Sequence, residues 1–98
     1  MFELNKLNKA FENRIRLGIM SMLCGTDYVD FLQMKSLLQV TDGNLSSHLK
    51  GLEKEEYVKA TKQFIGLKPN TSYQVTEKGR KAFLEHLNAL EELLKSNK

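Results

Sequence analysis

The sequence predicts a mainly α-helical domain with a small β-hairpin. Three observations support this fold class. Apolar residues recur every three or four positions in both terminal segments, a tight glycine-containing turn separates two short helical segments, and apolar and polar side chains alternate after Tyr57. The predicted order is helix, short strand, helix, helix, hairpin and long helix. At 98 residues, the chain has the length of a single domain, residues 1–98.

Start and stop signals divide the N-terminal half into two helices. The first is predicted from Leu4 to about Leu23, where a Gly-Thr-Asp turn follows. A short extended piece at residues 28–29 precedes Asp30, which begins the second helix as N-cap with Gln33 at the capping-box position. The predicted buried stripes are Leu4, Leu7, Phe11, Ile15, Ile19 and Met22 in the first helix, and Phe31, Met34, Leu37 and Leu38 in the second.

A tight turn joins the second helix to a third. The turn occupies residues 41–43, and Asn44 is predicted to cap the third helix, in which Leu45, Leu49 and Leu52 share one face. Because the two helices are short and the turn contains a glycine, this segment predicts a helix-turn-helix pair.

The period of the apolar pattern changes from Tyr57 onward. Two alternating segments surround a five-residue loop at residues 66–70, which predicts a β-hairpin with a basic tip. Thr76 then caps a last helix, predicted over residues 76–98. Its apolar seam comprises Phe83, Leu87, Leu90 and Leu94.

Charge is distributed unevenly along the chain. Fifteen Lys and Arg against twelve Asp and Glu give a net charge of +3, and residues 44–81 alone carry eight basic and four acidic side chains. A basic middle segment favours a polyanionic partner. The single cysteine, Cys24, cannot form an internal disulfide. The sequence also lacks an apolar run of the length needed to cross a bilayer, about 18–20 residues. These features predict a cytoplasmic protein without a membrane segment.

Catalytic and metal-binding patterns are not found. The sequence has no glycine-rich phosphate loop, HExxH motif or defensible Ser-His-Asp set, which argues against an enzyme and against a cofactor. Cys24, His48 and His86 are far apart in sequence, so we expect no metal site. Nothing identifies a role for Cys24 or a small-molecule effector.

The outer face of the third helix carries the candidate DNA-binding residues. Opposite the three leucines this face is small, polar and basic, which suits close approach to base edges and phosphates in the major groove. A solvated amphipathic helix with no partner is the alternative for such a face taken alone. The hairpin that follows favours DNA, because a helix-turn-helix with an adjoining basic hairpin is the winged helix-turn-helix. The candidates on the helix are Asn44, Ser46, Ser47, Lys50 and Lys54.

The chain resembles the small winged-helix transcriptional regulators related to the MarR and ArsR groups. The resemblance extends over NRIRLGIM, FLQMKSLLQVTDGNLSSHLKGLEKEEYV and TSYQVTEKGRKAF. It implies a dimeric regulator without enzyme activity that binds double-stranded DNA at a roughly palindromic operator, with a recognition helix starting at Asn44. It also implies a backbone contact for His48, for which packing beside the first two helices is an equal alternative. The implied contacts of the hairpin, or wing, are Lys62, Lys68 and Asn70.

The apolar seam of the last helix predicts a homodimer. The helix has more apolar surface than docking on one small domain requires, although docking against the first helix of the same chain is the alternative. The predicted dimer contacts are Phe83, Leu87, Leu90 and Leu94. A repressor that occludes its operator is the favoured function, and a winged-helix protein-interaction module is the competing class. Such a module would be expected to expose an apolar patch on the third helix.

Overall fold

The computed structural model describes residues 3–96, and its helices and strands follow the predicted order. Two short 3-10 turns, Leu4–Lys6 and Lys9–Phe11, precede the first α-helix. The remaining elements are α1 Arg14–Cys24, β1 Val29–Asp30, α2 Phe31–Leu38, α3 Asp42–Lys54, β2 Val58–Ile65, β3 Lys68–Val75 and α4 Glu77–Ser96. The winged helix-turn-helix fold is therefore confirmed. Asn97 and Lys98, which the predicted last helix includes, lie outside the described residues, as do the first two residues of the domain.

The prediction of one continuous first helix from Leu4 was wrong. The Asn8 side chain accepts a hydrogen bond from the Ala10 N–H at 2.8 Å, and Asn13 caps α1 by accepting from the Ile15 N–H at 2.8 Å. Asparagine side chains that bind nearby backbone groups in this way offer an alternative to helical hydrogen bonds. The N-terminal segment is consequently broken into two turns and a shorter helix, and Leu4 is exposed.

The capping box of α2 is present as predicted. The Asp30 carboxylate accepts from the Gln33 N–H at 2.8 Å, and the Gln33 side chain accepts from the Asp30 N–H at 3.2 Å. The predicted burial of Leu37 was wrong, because this side chain is 69% exposed. The buried stripe of α2 runs through Met34 and Leu38, and at about 100° per residue Leu37 falls on the opposite flank of Met34.

Three antiparallel strands form a sheet in the order β1-β3-β2. The hairpin pairs Val58 with Val75 at its base and Ile65 with Lys68 at its end. The connection is thus a two-residue turn, Gly66-Leu67, and the predicted five-residue loop was wrong because residues 68–70 continue the strand. Gly66 has φ 67° at the first turn position, as in the type II′ turns that match the twist of a hairpin.

The hydrophobic core is organised around Phe11. Its ring lies edge-on to Phe83 at 5.2 Å between centroids, and its centroid is 5.3 Å from that of Tyr57 and 5.4 Å from that of His86. The N-terminal turn, the root of the hairpin and α4 are therefore joined in one cluster. The His86 Nδ1 accepts the Asn8 N–H at 3.0 Å, and the Asn8 amide donates to the Tyr57 hydroxyl at 3.0 Å, so the polar groups beside this cluster are satisfied.

Gly79 allows α4 to approach the root of the hairpin. A Cβ at Gly79 would overlap the carbonyl group of Tyr57. As predicted, Thr76 caps the helix, because its hydroxyl accepts the Gly79 N–H at 2.9 Å. The same hydroxyl donates to the Glu56 carbonyl at 2.7 Å, and the Thr76 N–H donates to the Tyr57 carbonyl at 3.0 Å. These contacts hold the start of α4 against the residues that lead into β2.

Replacing Gly79 with alanine should lower the free energy of unfolding by about 1–3 kcal/mol, because the new methyl group has to displace backbone atoms. Urea unfolding followed by circular dichroism measures this change. Gly43→Ala is the matched control, since a Cβ there meets nothing within 4 Å. The stability of that variant should stay within about 0.5 kcal/mol of the unchanged protein, as is usual for an exposed substitution. Equal stabilities for the two variants would contradict the close contact at Gly79.

Candidate nucleic-acid interface

The burial of one face of α3 determines which of its residues are exposed. Leu45, Leu49 and Leu52 are at most 1% exposed, as predicted. The opposite face is fully polar and contains four of the predicted contact residues, Asn44, Ser47, Lys50 and Lys54, all exposed. Their spacing of three, three and four residues places them on one stripe. Ser46 and His48 are half-buried at the edges of this stripe.

The N-cap of the third helix lies three residues earlier than predicted. Thr41 is the N-cap, and its hydroxyl accepts the Asn44 N–H at 3.2 Å. The prediction that Asn44 caps the helix was therefore wrong, because the Thr41 hydroxyl already satisfies the N–H three residues later. Asn44 lies within the first turn, where its side chain belongs to the exposed stripe.

Charges at the start of α3 are partly balanced. Asp42 is exposed in the first helical turn, and its carboxylate forms an ion pair with Lys35 of α2 at 2.7 Å. A carboxylate beside the helix N-terminus is favourable for the helix but would repel phosphate. The Lys35 ammonium offsets this repulsion at the turn between α2 and α3.

His48 contacts the first helix of its own chain. Its Nδ1 accepts a hydrogen bond from the Arg16 Nε–H at 3.0 Å. Burial, and then the charge of Arg16, lower the pKa of His48 below its usual value of 6.5. Of the two alternatives for this residue, the structure shows packing beside α1, and it does not test a DNA contact.

Arg16 is a residue of this region that the sequence analysis did not identify. Its guanidinium group lies over Gly51, where any Cβ would overlap it. A positive charge from α1 is thus held against α3 by His48 and by the absence of a side chain at Gly51. The sequence signal for this contact is Gly51. A glycine inside a helix lowers stability by about 1 kcal/mol relative to alanine, so its presence there indicates a close packing contact.

The wing residues lie on two faces of the hairpin. Alternate residues of a strand point to opposite faces, and Lys62 shares a face with Ala60 and Phe64. Lys68 pairs with Ile65 and belongs to the other face, together with Asn70. Both lysines are exposed, and Asn70 is half-buried. The residues that were predicted to make wing contacts therefore lie on the hairpin but do not form one patch.

One face of α4 is exposed and apolar. Leu87 and Leu90 are 39% and 37% exposed, and Leu84 and Leu94 are more exposed still. Phe83 differs from the leucines predicted with it, because it is 3% exposed and packs on Phe11 in its own chain. Its ring consequently belongs to the core and not to the exposed face of α4.

Candidate metal ligands do not cluster within residues 3–96. No group of three or more His, Cys, Asp or Glu side chains in this range could hold a metal ion. Cys24 is half-buried, and burial raises the pKa of its thiol, whereas the charge of Arg80 acts in the opposite direction. The described helices include none that is both long and apolar enough to cross a membrane.

Comparisons with known proteins agree with this architecture. A family model described as a winged helix DNA-binding domain matches residues 15–94. The chain is 36% identical over 88 residues to the uncharacterized protein MJ0432 of Methanocaldococcus jannaschii, covering 90% of this chain and 96% of that protein. The transcriptional regulator homologue protein of Pyrococcus horikoshii has a similar structure, with a TM-score of 0.83 and 31% identity over 91% of this chain and 88% of that one. YusO of Bacillus subtilis shares the fold at a TM-score of 0.82 and 14% identity, over 96% of this chain and 66% of that one.

Both histidines should titrate below pH 6.5, because burial is the main cause that lowers the pKa of His48 and of His86. The unfolded chain then binds more protons than the folded one as the pH falls through 6.5. The contribution of the two histidines to the free energy of unfolding should therefore be constant above pH 6.5 and decrease below it. NMR titration of the imidazole C–H protons measures both midpoints, and His48→Gln assigns the two signals. A His48 midpoint above 6.5 would contradict its role as a neutral acceptor for Arg16.

Proposed function

The chain belongs to the winged helix DNA-binding domain family, and from this premise we propose that it is a sequence-specific repressor that binds duplex DNA as a homodimer. The family assignment identifies a DNA-binding regulator, and proteins of this kind are not enzymes. The observation that carries the proposal is the exposed stripe of Asn44, Ser47, Lys50 and Lys54 opposite the buried leucines of α3. Double-stranded DNA as the partner is compatible with the cytoplasmic location predicted from the sequence.

The stripe offers two kinds of contact to DNA. Asn44 and Ser47 carry hydrogen-bonding groups on short side chains, which suit base edges in the major groove. Lys50 and Lys54 carry positive charges, which suit phosphates or guanine. Arg16 adds a guanidinium group at the edge of the same helix. We assign base contacts to the first pair and mainly phosphate contacts to the cations.

A protein-interaction module receives less support from this surface. Such a module would expose apolar side chains on α3, but the large apolar residues of that helix are buried. The exposed apolar side chains of the described region lie on other elements, chiefly α2, the hairpin turn and α4. The α3 surface therefore favours a nucleic acid over a protein.

The homodimer is proposed from the leucines of α4. Leu84, Leu87, Leu90 and Leu94 are spaced three, three and four residues apart and form one exposed stripe on a 20-residue helix. A contiguous apolar stripe of this kind marks an interaction surface. A second copy that packs on it would pair two recognition helices and favour a roughly palindromic operator, with half-sites about 34 Å apart. Occlusion of the promoter by such a dimer is the proposed means of repression.

Lys50→Ala should weaken DNA binding and leave the fold intact, because the side chain is exposed on the stripe. If each copy then neutralises one phosphate fewer, the slope of log affinity against log salt should decrease by about 0.9 per phosphate. Fluorescence anisotropy with a random-sequence duplex at several salt concentrations measures both effects. Lys95→Ala on α4 removes the same charge and should bind DNA like the unchanged protein. Equal affinities for Lys50→Ala and Lys95→Ala would contradict the recognition-helix assignment.

Replacing Leu87 and Leu90 together by glutamate should convert the dimer into monomers, because four carboxylates would then be buried at the contact. Both positions are partly exposed in one chain, so the helical circular dichroism signal should be retained. Multi-angle light scattering measures the mass. Leu37→Glu on α2 changes another exposed leucine and should remain dimeric. A dimeric Leu87→Glu/Leu90→Glu variant would show that α4 is not the interface.

A further inference from the structure

The guanidinium group of Arg16 has more hydrogen-bond donors than the chain itself uses. Every nitrogen of an arginine guanidinium carries donors, and here the Nε–H donates to the His48 Nδ1 at 3.0 Å. Among residues 3–96, neither terminal nitrogen of Arg16 has a hydrogen bond, and no carboxylate forms an ion pair with it. This part of the chain also contains no buried side-chain nitrogen or oxygen without a partner. Both terminal nitrogens therefore reach solvent.

Two contacts fix the direction of this guanidinium group. His48 holds the Nε–H, and Gly51, three residues further along α3, leaves the space in which the group lies, because a Cβ there would overlap it. Arg16 is half-buried as a result. A long exposed side chain loses rotamer freedom when it binds a partner, whereas Arg16 has already lost much of this freedom on folding. Its terminal nitrogens are consequently oriented before any partner binds.

The guanidinium group lies at the flank of the exposed stripe of α3. At about 100° per residue, Gly51 falls between Asn44 and Ser47 around the helix axis. Arg16 covers this position from α1. Because its Nε–H is bound to His48, the group stays beside the backbone of α3 and does not project past the stripe. Its free nitrogens thus face outward along the side of the helix.

A phosphate group is the anion that this position suits. An α-helix with its side chains is about 10–12 Å in diameter, and the major groove is about 12 Å wide. A helix that fills the groove directs its outer stripe to the bases and brings its flanks close to the phosphates on either side. The parallel N–H groups of a guanidinium match two oxygens of one phosphate.

We propose that Arg16 binds one DNA phosphate through both terminal nitrogens, and that His48 and Gly51 are positioning residues for this contact. The proposal rests on the DNA-binding function proposed above and deepens it in two respects. It adds a fixed phosphate contact from α1, which lies outside the helix-turn-helix pair and the hairpin. It also gives His48 a role that it exerts through Arg16, in place of a DNA contact of its own.

Gly51 distinguishes this site from an ordinary surface arginine. An alanine at this position would favour the helix, but its methyl group would displace the guanidinium of Arg16. The substitution changes no charge and removes no side chain that faces DNA. Gly51→Ala therefore tests the position of the guanidinium separately from its charge.

The test measures how tightly full-length variants bind a random-sequence duplex, by fluorescence anisotropy at several salt concentrations. Arg16→Ala removes the proposed contact. Arg14→Ala is its matched control, because Arg14 is exposed and lies two residues earlier, on the opposite side of α1. Gly51→Ala and the double variant Arg16→Ala/Gly51→Ala complete a double-mutant cycle. Melting curves followed by circular dichroism give the temperature range in which each variant is folded.

Arg16→Ala should weaken binding by about tenfold or more, and its salt slope should be lower by about 0.9 for each phosphate that is no longer neutralised. Arg14→Ala should bind like the unchanged protein. Gly51→Ala should weaken binding by about threefold or more although no charge is lost. The same substitution should have no further effect in the double variant, because the guanidinium that it displaces is absent.

His48 is tested by two variants that differ in their ability to accept a hydrogen bond. His48→Leu removes the acceptor and should weaken DNA binding, whereas His48→Gln provides a side-chain oxygen and should restore most of the affinity. Neither variant should matter when Arg16 is replaced as well. The NMR signal of the Arg16 Nε–H should be protected from exchange in the unchanged protein and lost in His48→Leu. Equal affinities for His48→Leu and the unchanged protein would show that His48 does not position Arg16.

The outcomes separate this contact from the DNA-binding function itself. If Lys50→Ala weakens binding but Arg16→Ala keeps the affinity and salt slope of the unchanged protein, the Arg16 contact is refuted and DNA binding stands. If Gly51→Ala weakens binding equally with and without Arg16, its methyl group meets the DNA directly, and the positioning role of Gly51 is refuted. If the unchanged protein binds no random-sequence duplex, the proposed function itself fails.

A second substitution at Arg16 keeps the test decisive if Arg16→Ala does not fold. Arg16→Lys retains the charge but lacks the Nε–H and the planar pair of terminal nitrogens. It should bind DNA more weakly than the unchanged protein and should be insensitive to Gly51→Ala. Unchanged affinity for Arg16→Lys would refute a contact that depends on both terminal nitrogens.

Discussion

The burial of three leucines on one face of α3 is the constraint on which the candidate site depends. Leu45, Leu49 and Leu52 are almost fully buried, and moving one such side chain into water costs about 1.5–3 kcal/mol. Rotation of α3 about its axis would expose them together. The opposite stripe is therefore presented to solvent in one orientation, and Asn44 and Lys50 keep a defined direction even though they make few contacts themselves. The packing of the core therefore sets the direction in which the exposed stripe of α3 faces.

A second constraint relates the hairpin to α4. Phe11 joins the N-terminal turn to Phe83 of α4 and to Tyr57 at the root of the hairpin. Gly79 lets the start of α4 approach the Tyr57 carbonyl, and the Thr76 hydroxyl binds both sides of this junction. The wing and the last helix consequently leave the same small region of the core. A dimer formed by α4 would therefore determine the separation of two wings as well as of two recognition helices.

The three exposed surfaces differ in their chemistry. The α3 stripe is polar and basic, the α4 stripe is apolar, and the hairpin combines cations with an apolar tip. In the proposed complex, lysines on the hairpin would provide affinity for any duplex, and this affinity would decrease with salt. Short polar side chains on α3 would provide hydrogen bonds that differ between base pairs. Arg16 connects α1 to this surface through His48, so the orientation of the first helix also affects the charge beside the recognition helix.

The sequence by itself determined the order of the elements, the capping of α2 and α4 and the buried face of α3, because periodicity and capping are local properties of the chain. Tertiary structure decided the rest. The turn at Asn8 is held by hydrogen bonds from its N–H to His86 and from its amide to Tyr57, and Phe83 turns inward because Phe11 provides its packing partner. Arg16 and Gly51 meet across 35 positions of sequence. Such contacts depend on how helices pack, and a pattern read along one segment contains no information about the residue that will lie opposite.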